Sequence, residues 1–183
     1  MAVPKRSRRL KRTVIYKGKV FRVERDEVLL PNGRRTALDA VRHRGSVVLV
    51  PQPSPDEVIL IRQYRHVIGR WIWELPAGTL EAGEAPLPAA RRECQEEIGW
   101  RPKRIKAIGM YYPSPGFCDE RMFFYLCTDL VRPARPVSGD PDEQIEPRTF
   151  TWREAWDLIA AREIVDMKTI TGLVLAERAT APE

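Results

Sequence analysis

GTLEAGEAPLPAARRECQEEIGW, residues Gly78 to Trp100, is the stretch on which the reading of this chain turns. Glu84 stands six positions after Gly78, and Arg92-Glu93, Glu96-Glu97 and Gly99 follow at close spacing. Pro86 and Pro88 suit the first turn of a helix, and Gly99 suits its left-handed stop. On such a helix Glu93, Glu96 and Glu97 fall within an arc of about 100°. Leu87, Ala90, Cys94 and Ile98 gather on a separate arc that can face a core. Carboxylates one turn apart repel. A hard divalent cation reverses that sign, because Mg²⁺ and Mn²⁺ take oxygen ligands and bridge to phosphates. For a bare E-x-x-E-E, a solvated acidic helix with Arg92 paired to its neighbours would be the simpler account.

The rest of the composition narrows the setting. At 183 residues, with 43% hydrophobic residues, the chain suits one domain with a small appendage. Cys94, Cys118 and Cys127 form no CxxC pair, which favours a reducing, cytoplasmic setting over a structural zinc site. No segment has the length and apolarity of a membrane span, and the basic N-terminus lacks the apolar run of a secretory signal. The formal charge is +6, and six cations with no acid lie between Lys5 and Arg12. That distribution predicts a flexible basic tail over residues 1–12 on an otherwise neutral body. No dedicated nucleic-acid partner is expected from it.

Outward from the motif, the pattern is mixed α/β. Residues 13–43 read as a small antiparallel β unit, with Pro31-Asn32-Gly33 as its turn. SVVLVP from Ser46 suits a buried strand, and EVILIRQYR sets Val58, Leu60 and Arg62 against Ile59, Ile61 and Gln63. IKAIGMYY and RMFFYLCTDL are two later strands, joined by the rigid loop YPSPGFCDE. Thr151 and Glu154 form a capping box before a helix marked by Trp152, Ala155, Trp156 and Ile159. A last helix shows Met167, Ile170 and Val174 on one face. Trp71 and Trp73 are expected as core or interface anchors, and His43 and His66 as hydrogen-bonded structural residues.

The full spacing, G-x5-E-x7-R-E-U-x-E-E-x-G-U with U bulky and apolar, resembles the Nudix hydrolase signature. Gly78, Glu84, Arg92, Glu93, Cys94, Glu96, Glu97, Gly99 and Trp100 fill it, Cys94 standing where the family usually has an aliphatic residue. The resemblance implies an α/β/α sandwich over a mixed sheet, with residues 44–183 as the hydrolase domain, and hydrolysis of a diphosphate. It implies metal ligation by Glu93, Glu97 and the Ala77 carbonyl, with Glu96 in or near the same shell, and a structural role for Glu84 between loop and helix. Mg²⁺ or Mn²⁺ would neutralise the diphosphate and acidify a water.

Outside the signature, RQYR (Arg62 to Arg65) and SPGFCDE (Ser114 to Glu120) resemble the ADP-ribose pyrophosphatase subfamily. That resemblance implies cleavage of ADP-ribose or a related ADP-sugar to AMP and a sugar phosphate. It places Arg65 on the diphosphate, where a guanidinium fork suits phosphate oxygens. Ser114, Pro115 and Gly116 would shape the substrate loop, and Glu120 would lie near the terminal ribose or the metals. Family members carry a mobile glutamate as base in the loop that GDPDEQIEP occupies here; Glu143 matches best, with Asp142 and Glu146 as neighbours. Residues 13–43 resemble the unit that subfamily members use for swapped homodimers and for binding the base. Some members clamp adenine there between tryptophans, and this chain has none before Trp71; Phe21 or a long basic side chain could substitute. The competing readings are another nucleoside diphosphate sugar, such as GDP-mannose, and a non-catalytic Nudix-fold nucleotide-binding regulator.

Overall fold

The structure, a computed structural model, describes residues 6–133 and 144–180. By contacts between Cα atoms it divides into two compact units. The first comprises residues 1–45 with 112–121, and the second residues 46–111 with 122–183.

The first unit is a three-stranded antiparallel sheet of β1 (Arg8–Lys17), β2 (Phe21–Leu29) and β3 (Arg35–His43), in that order. The turn expected at Pro31-Asn32-Gly33 is present, with Gly33 at φ +83° and its N–H on the Leu30 carbonyl at 2.9 Å. The expected tail is shorter than residues 1–12, because Arg8 to Arg12 are part of β1. Register explains it: Arg12 lies opposite Asp26, and its Nε is 3.0 Å from carboxylate oxygens of both Glu24 and Asp26. Arg22 and Arg42 also bond Glu24, at 2.7 and 2.9 Å, and Arg42 bonds Asp26 at 2.6 Å. Burial works to raise the Glu24 carboxyl, but these arginines together hold it below its ordinary value. The first unit carries 15 Lys and Arg against 6 Asp and Glu, so the positive charge of β1 is shared with β2, β3 and the loop at residues 112–121.

The second unit is built on two sheets. In one, β5 (Glu57–Arg65) lies between β10 (Ile145–Thr151) and β6 (Arg70–Glu74), all antiparallel. In the other the order is β7 (Ala77–Thr79), β4 (Ser46–Pro51), β9 (Met122–Val131), β8 (Arg101–Tyr111), with β4 and β9 parallel. Side chains alternate between two cores, as the period of a strand requires. Val48, Val50, Val58, Leu60, Phe124 and Leu126 join one core with α2 (Trp152–Ala160) and α3 (Met167–Thr180). Val47, Leu49, Ile59, Ile61, Tyr125 and Cys127 join the other with α1 (Pro86–Ile98). Helices thus cover both faces of mixed β structure, which is the α/β/α arrangement expected. β6 and β7 are strands that the sequence pattern did not reveal. They are short, and their residues RWIWE and AGT carry no long alternation.

The capping box at Thr151 is formed in both directions, with Glu154 N–H on Thr151 Oγ1 at 3.2 Å and Thr151 N–H on Glu154 Oε2 at 2.7 Å. Trp73 stacks edge-on against Phe150 at 4.8 Å, as a core anchor. Two helix faces differ from expectation. Leu87 is 43% exposed, because it sits in the first turn of α1, and Ala89 takes the buried place. On α3, Met167 and Val174 are exposed, while Thr169, Gly172, Leu173 and Ala176 are buried. Gly172 is tightly enclosed on that face: a Cβ there would collide with the Leu75 side chain. Gly172→Val is therefore expected to lower stability by about 1–3 kcal/mol through overpacking. A fall in the urea midpoint at unchanged m-value measures it.

Candidate functional site

The acidic helix α1 begins with Pro86 as N1 and ends at Gly99, whose φ of 69° is left-handed and whose N–H reaches the Gln95 carbonyl at 3.1 Å. Its carboxylates do not form a face apart from the apolar stripe. Glu93 and Glu97 are each only 8% exposed and lie among the buried residues of the helix with Ala89, Ala90, Cys94 and Ile98. β7 makes this possible. The Ala77 N–H donates to Glu97 Oε2 at 2.9 Å. One residue on, a Cβ on Gly78 would fall inside the Glu93 carboxylate. Gly78 is thus a close-approach glycine: the strand backbone occupies the space beside Glu93 that any side chain would fill.

Arg92 organises the remaining acids. It donates to both oxygens of Glu84, at 3.1 and 2.9 Å, to Glu93 at 2.7 Å and to Glu96 at 2.8 Å. Glu84 also accepts the Glu81 N–H at 2.9 Å, so it does tie the loop to the helix. The Arg92 hydrogen bonds hold the Glu84 carboxyl below its ordinary value against the opposing effect of burial. Arg92 is in turn pushed further into its charged form, first by Glu84.

The donor set of Glu93, Glu96, Glu97 and the Ala77 carbonyl is all oxygen, which fits a hard divalent cation. Among the described residues no three acidic, His or Cys side chains are yet drawn onto one point. Glu93 and Glu96 are instead engaged by Arg92.

Arg65, at the end of β5, donates from Nε and Nη2 to the two oxygens of Glu74, at 2.6 and 2.8 Å. Burial works against its charge, but Glu74 first, and then Glu97 and Asp166, hold the guanidinium further in its charged form. The buried Glu74 was not singled out from sequence. Its signal was available: RWIWE ends a strand-like apolar run on a lone acid.

The candidates of the Ser114–Glu120 loop belong to the first unit. Ser114 closes a turn by accepting the Phe117 and Cys118 N–H groups at 3.2 and 2.9 Å, with Pro115 and Gly116 inside it. The same loop bonds to β3 through Val41 N–H on the Phe117 carbonyl, 2.7 Å, and Asp119 N–H on the Val41 carbonyl, 3.1 Å. Glu120 lies 3.7 Å from His43 Nδ1, which accepts the Gly45 N–H at 3.0 Å. Asp119, missed from sequence, accepts the His43 N–H at 2.9 Å and pairs with Arg42 at 3.2 Å. Glu143 and Asp142 lie outside the described residues. Glu146 stands in β10 opposite Arg62.

Residues 41–170 match the NUDIX domain family model. The chain is 36% identical over 155 residues to an ADP-ribose pyrophosphatase of Bacillus subtilis (strain 168), covering 85% of this chain and 84% of that protein. It is 32% identical over 167 residues to an ADP-ribose pyrophosphatase of Mycobacterium tuberculosis (strain ATCC 25618 / H37Rv), covering 91% and 81%. A solved structure, a crystal structure of an ADP compounds hydrolase, superposes with a TM-score of 0.84 at 21% identity, over 98% of this chain and 96% of that one. Among the described residues no helix is long and apolar enough to cross a membrane.

Two outcomes follow from the geometry. Gly78→Ala displaces Glu93 from the β7 backbone and, on the expectation that Glu93 is a metal ligand, should weaken Mn²⁺ binding roughly tenfold or more, read by calorimetry. Glu84 has a depressed folded-state value, so its stabilisation is complete above the unfolded value near 4.3 and fades as the pH falls through the folded one. Glu84→Gln should therefore destabilise by on the order of 1–2 kcal/mol at pH 7, and in urea titrations the gap to the parent protein should begin to narrow as the pH falls through the unfolded value and close as it passes the folded one.

Proposed function

The chain belongs to the NUDIX family, and from that premise we propose that it hydrolyses the diphosphate linkage of ADP-ribose or a related ADP-sugar, giving AMP and a sugar phosphate. One observation carries the reading. Glu93 and Glu97 are buried one helical turn apart against Ala77 and Gly78, with the Arg92 guanidinium 2.7 Å from Glu93. Buried acids beside a cation, on rigid elements, suit a phosphorylated substrate better than a solvated helix does. The relatives' activity on ADP-ribose supports the choice of substrate.

In this reading Glu93, Glu96, Glu97 and the Ala77 carbonyl hold Mg²⁺ or Mn²⁺. When bound, the cation supplies positive charge against the diphosphate and makes water more acidic. Arg65 meets the diphosphate with its planar fork. Glu97 is the acid proposed to act at the reacting centre, and the Ala77 N–H bond that holds it supports that role. Glu143 is the proposed general base, with Asp142 and Glu146 as its neighbours. Ser114, Pro115 and Gly116 shape the substrate loop, and Glu120 lies near the terminal ribose or the metals. The exposed apolar side chains Val14, Ile15 and Leu38 of the first sheet support a homodimer formed through residues 13–43. The three free cysteines support a reducing, cytoplasmic location.

Hydrolysis across a panel of nucleoside diphosphate sugars with Mg²⁺ tests the substrate. ADP-ribose should be cleaved to AMP, and Glu97→Gln should lower kcat by about 10³-fold or more without loss of fold. Rapid cleavage of GDP-mannose with none of ADP-ribose would reassign the substrate. Unchanged activity in Glu97→Gln would remove the catalytic assignment.

A further inference from the structure

Glu74 has no part in the reaction as described so far, yet its side chain is only 1% exposed and it carries two cations. Arg65 forks onto it from β5 at 2.6 and 2.8 Å. The Lys168 ammonium, from the first turn of α3, also bonds Glu74 Oε2. Lys168 pairs further with Asp166 Oδ2 at 2.8 Å. Asp166 Oδ2 accepts the Thr169 N–H and hydroxyl at 3.2 and 3.1 Å, and Thr169 Oγ1 accepts the Leu75 N–H at 2.8 Å. The bonds therefore run from Glu74 around the start of α3 and return to the next residue of the chain.

A buried ionic network of this kind is a poor way to gain stability. Desolvation offsets most of the attraction, and apolar side chains could join β6 to α3 as well. What such a network does, and an apolar contact cannot, is orient a guanidinium. Lys168 holds Oε2 from the α3 side, so the Glu74 carboxylate is fixed in rotation, and the plane of Arg65 is fixed with it. The fork uses Nε and Nη2 and leaves Nη1 for another partner.

We propose that Glu74 is the positioning residue that aims Arg65 at the substrate diphosphate, with Lys168 as the counter-charge that locks Glu74 in place. This rests on the reading that Arg65 meets the diphosphate. Glu74 acts through Arg65 and touches no reacting atom. Its removal therefore matters only while Arg65 is present.

The experiment is a double-mutant cycle of Arg65→Ala, Glu74→Gln and the two combined. It is read as kcat/KM for ADP-ribose and, independently of turnover, as Kd for ADP by calorimetry. Glu74→Gln should lower kcat/KM and weaken ADP binding by about tenfold or more. Added to Arg65→Ala, it should cost nothing further in either readout. Equal losses in both backgrounds, or no loss in the parent, would overturn the proposal. Because Glu74→Gln removes one of the two carboxylates that face the Lys168 ammonium, leaving Asp166 alone, Glu74→Gln/Lys168→Met is made beside it. That variant should regain thermal stability while kcat/KM stays low; recovery of kcat/KM along with stability would show the network to be structural only. If the parent binds ADP but leaves ADP-ribose intact, the proposed function falls, and the Kd cycle alone still decides for or against Glu74. If the parent binds no ADP, Arg65 has no diphosphate to meet and the positioning role falls with it.

Discussion

Glu93 and the backbone at Gly78 share a space that admits no side chain, and the second unit is organised around that approach. Helix α1 can bring its carboxylates against β7 only because residue 78 has no Cβ. It can keep them there only because the Ala77 N–H meets Glu97 and Arg92 meets Glu93. Burying a carboxylate without such partners costs several kcal/mol. The apolar positions of the same helix, Ala89, Ala90, Cys94 and Ile98, pack on the core formed by β4, β5 and β9. One helix therefore serves as core element and acid carrier on a single buried arc.

Two arginines do similar work at the two ends of this arrangement. Arg92 gathers Glu84, Glu93 and Glu96, joining the loop before α1 to the helix. Arg65 is held by Glu74, which α3 grips in turn through Lys168. In both cases the guanidinium fork sets geometry that a lysine could not, because its donors lie in one rigid plane. The first unit follows the same logic on a sheet. Arg12, Arg22 and Arg42 surround the buried Glu24, with Arg12 reaching it from β1.

Much of this was legible along the chain. The signature from Gly78 to Trp100 identified the helix, its stop at Gly99 and the family. The alternation of β5 and the capping box at Thr151 were readable because both depend on neighbours in sequence. Other features were not. Leu87 sits on the apolar arc but is exposed, and on α3 the buried face includes Gly172, packed against Leu75, rather than Met167 and Val174. Periodicity reports which residues share a face, and does not report where the facing surface ends.

The sequence by itself determined the chemistry on offer: which residues are acids, which turn of helix carries them, and which glycine and prolines bound it. These are local matters, decided within a few residues by backbone propensity and spacing. Only the tertiary structure decided that Glu93 and Glu97 are buried rather than displayed, that Gly78 is a cradle, and that Arg65 answers to Glu74 and Lys168. Those facts join residues that lie up to 94 positions apart in the chain. Burial and hydrogen bonding at that separation depend on how strands and helices pack, which no local pattern encodes.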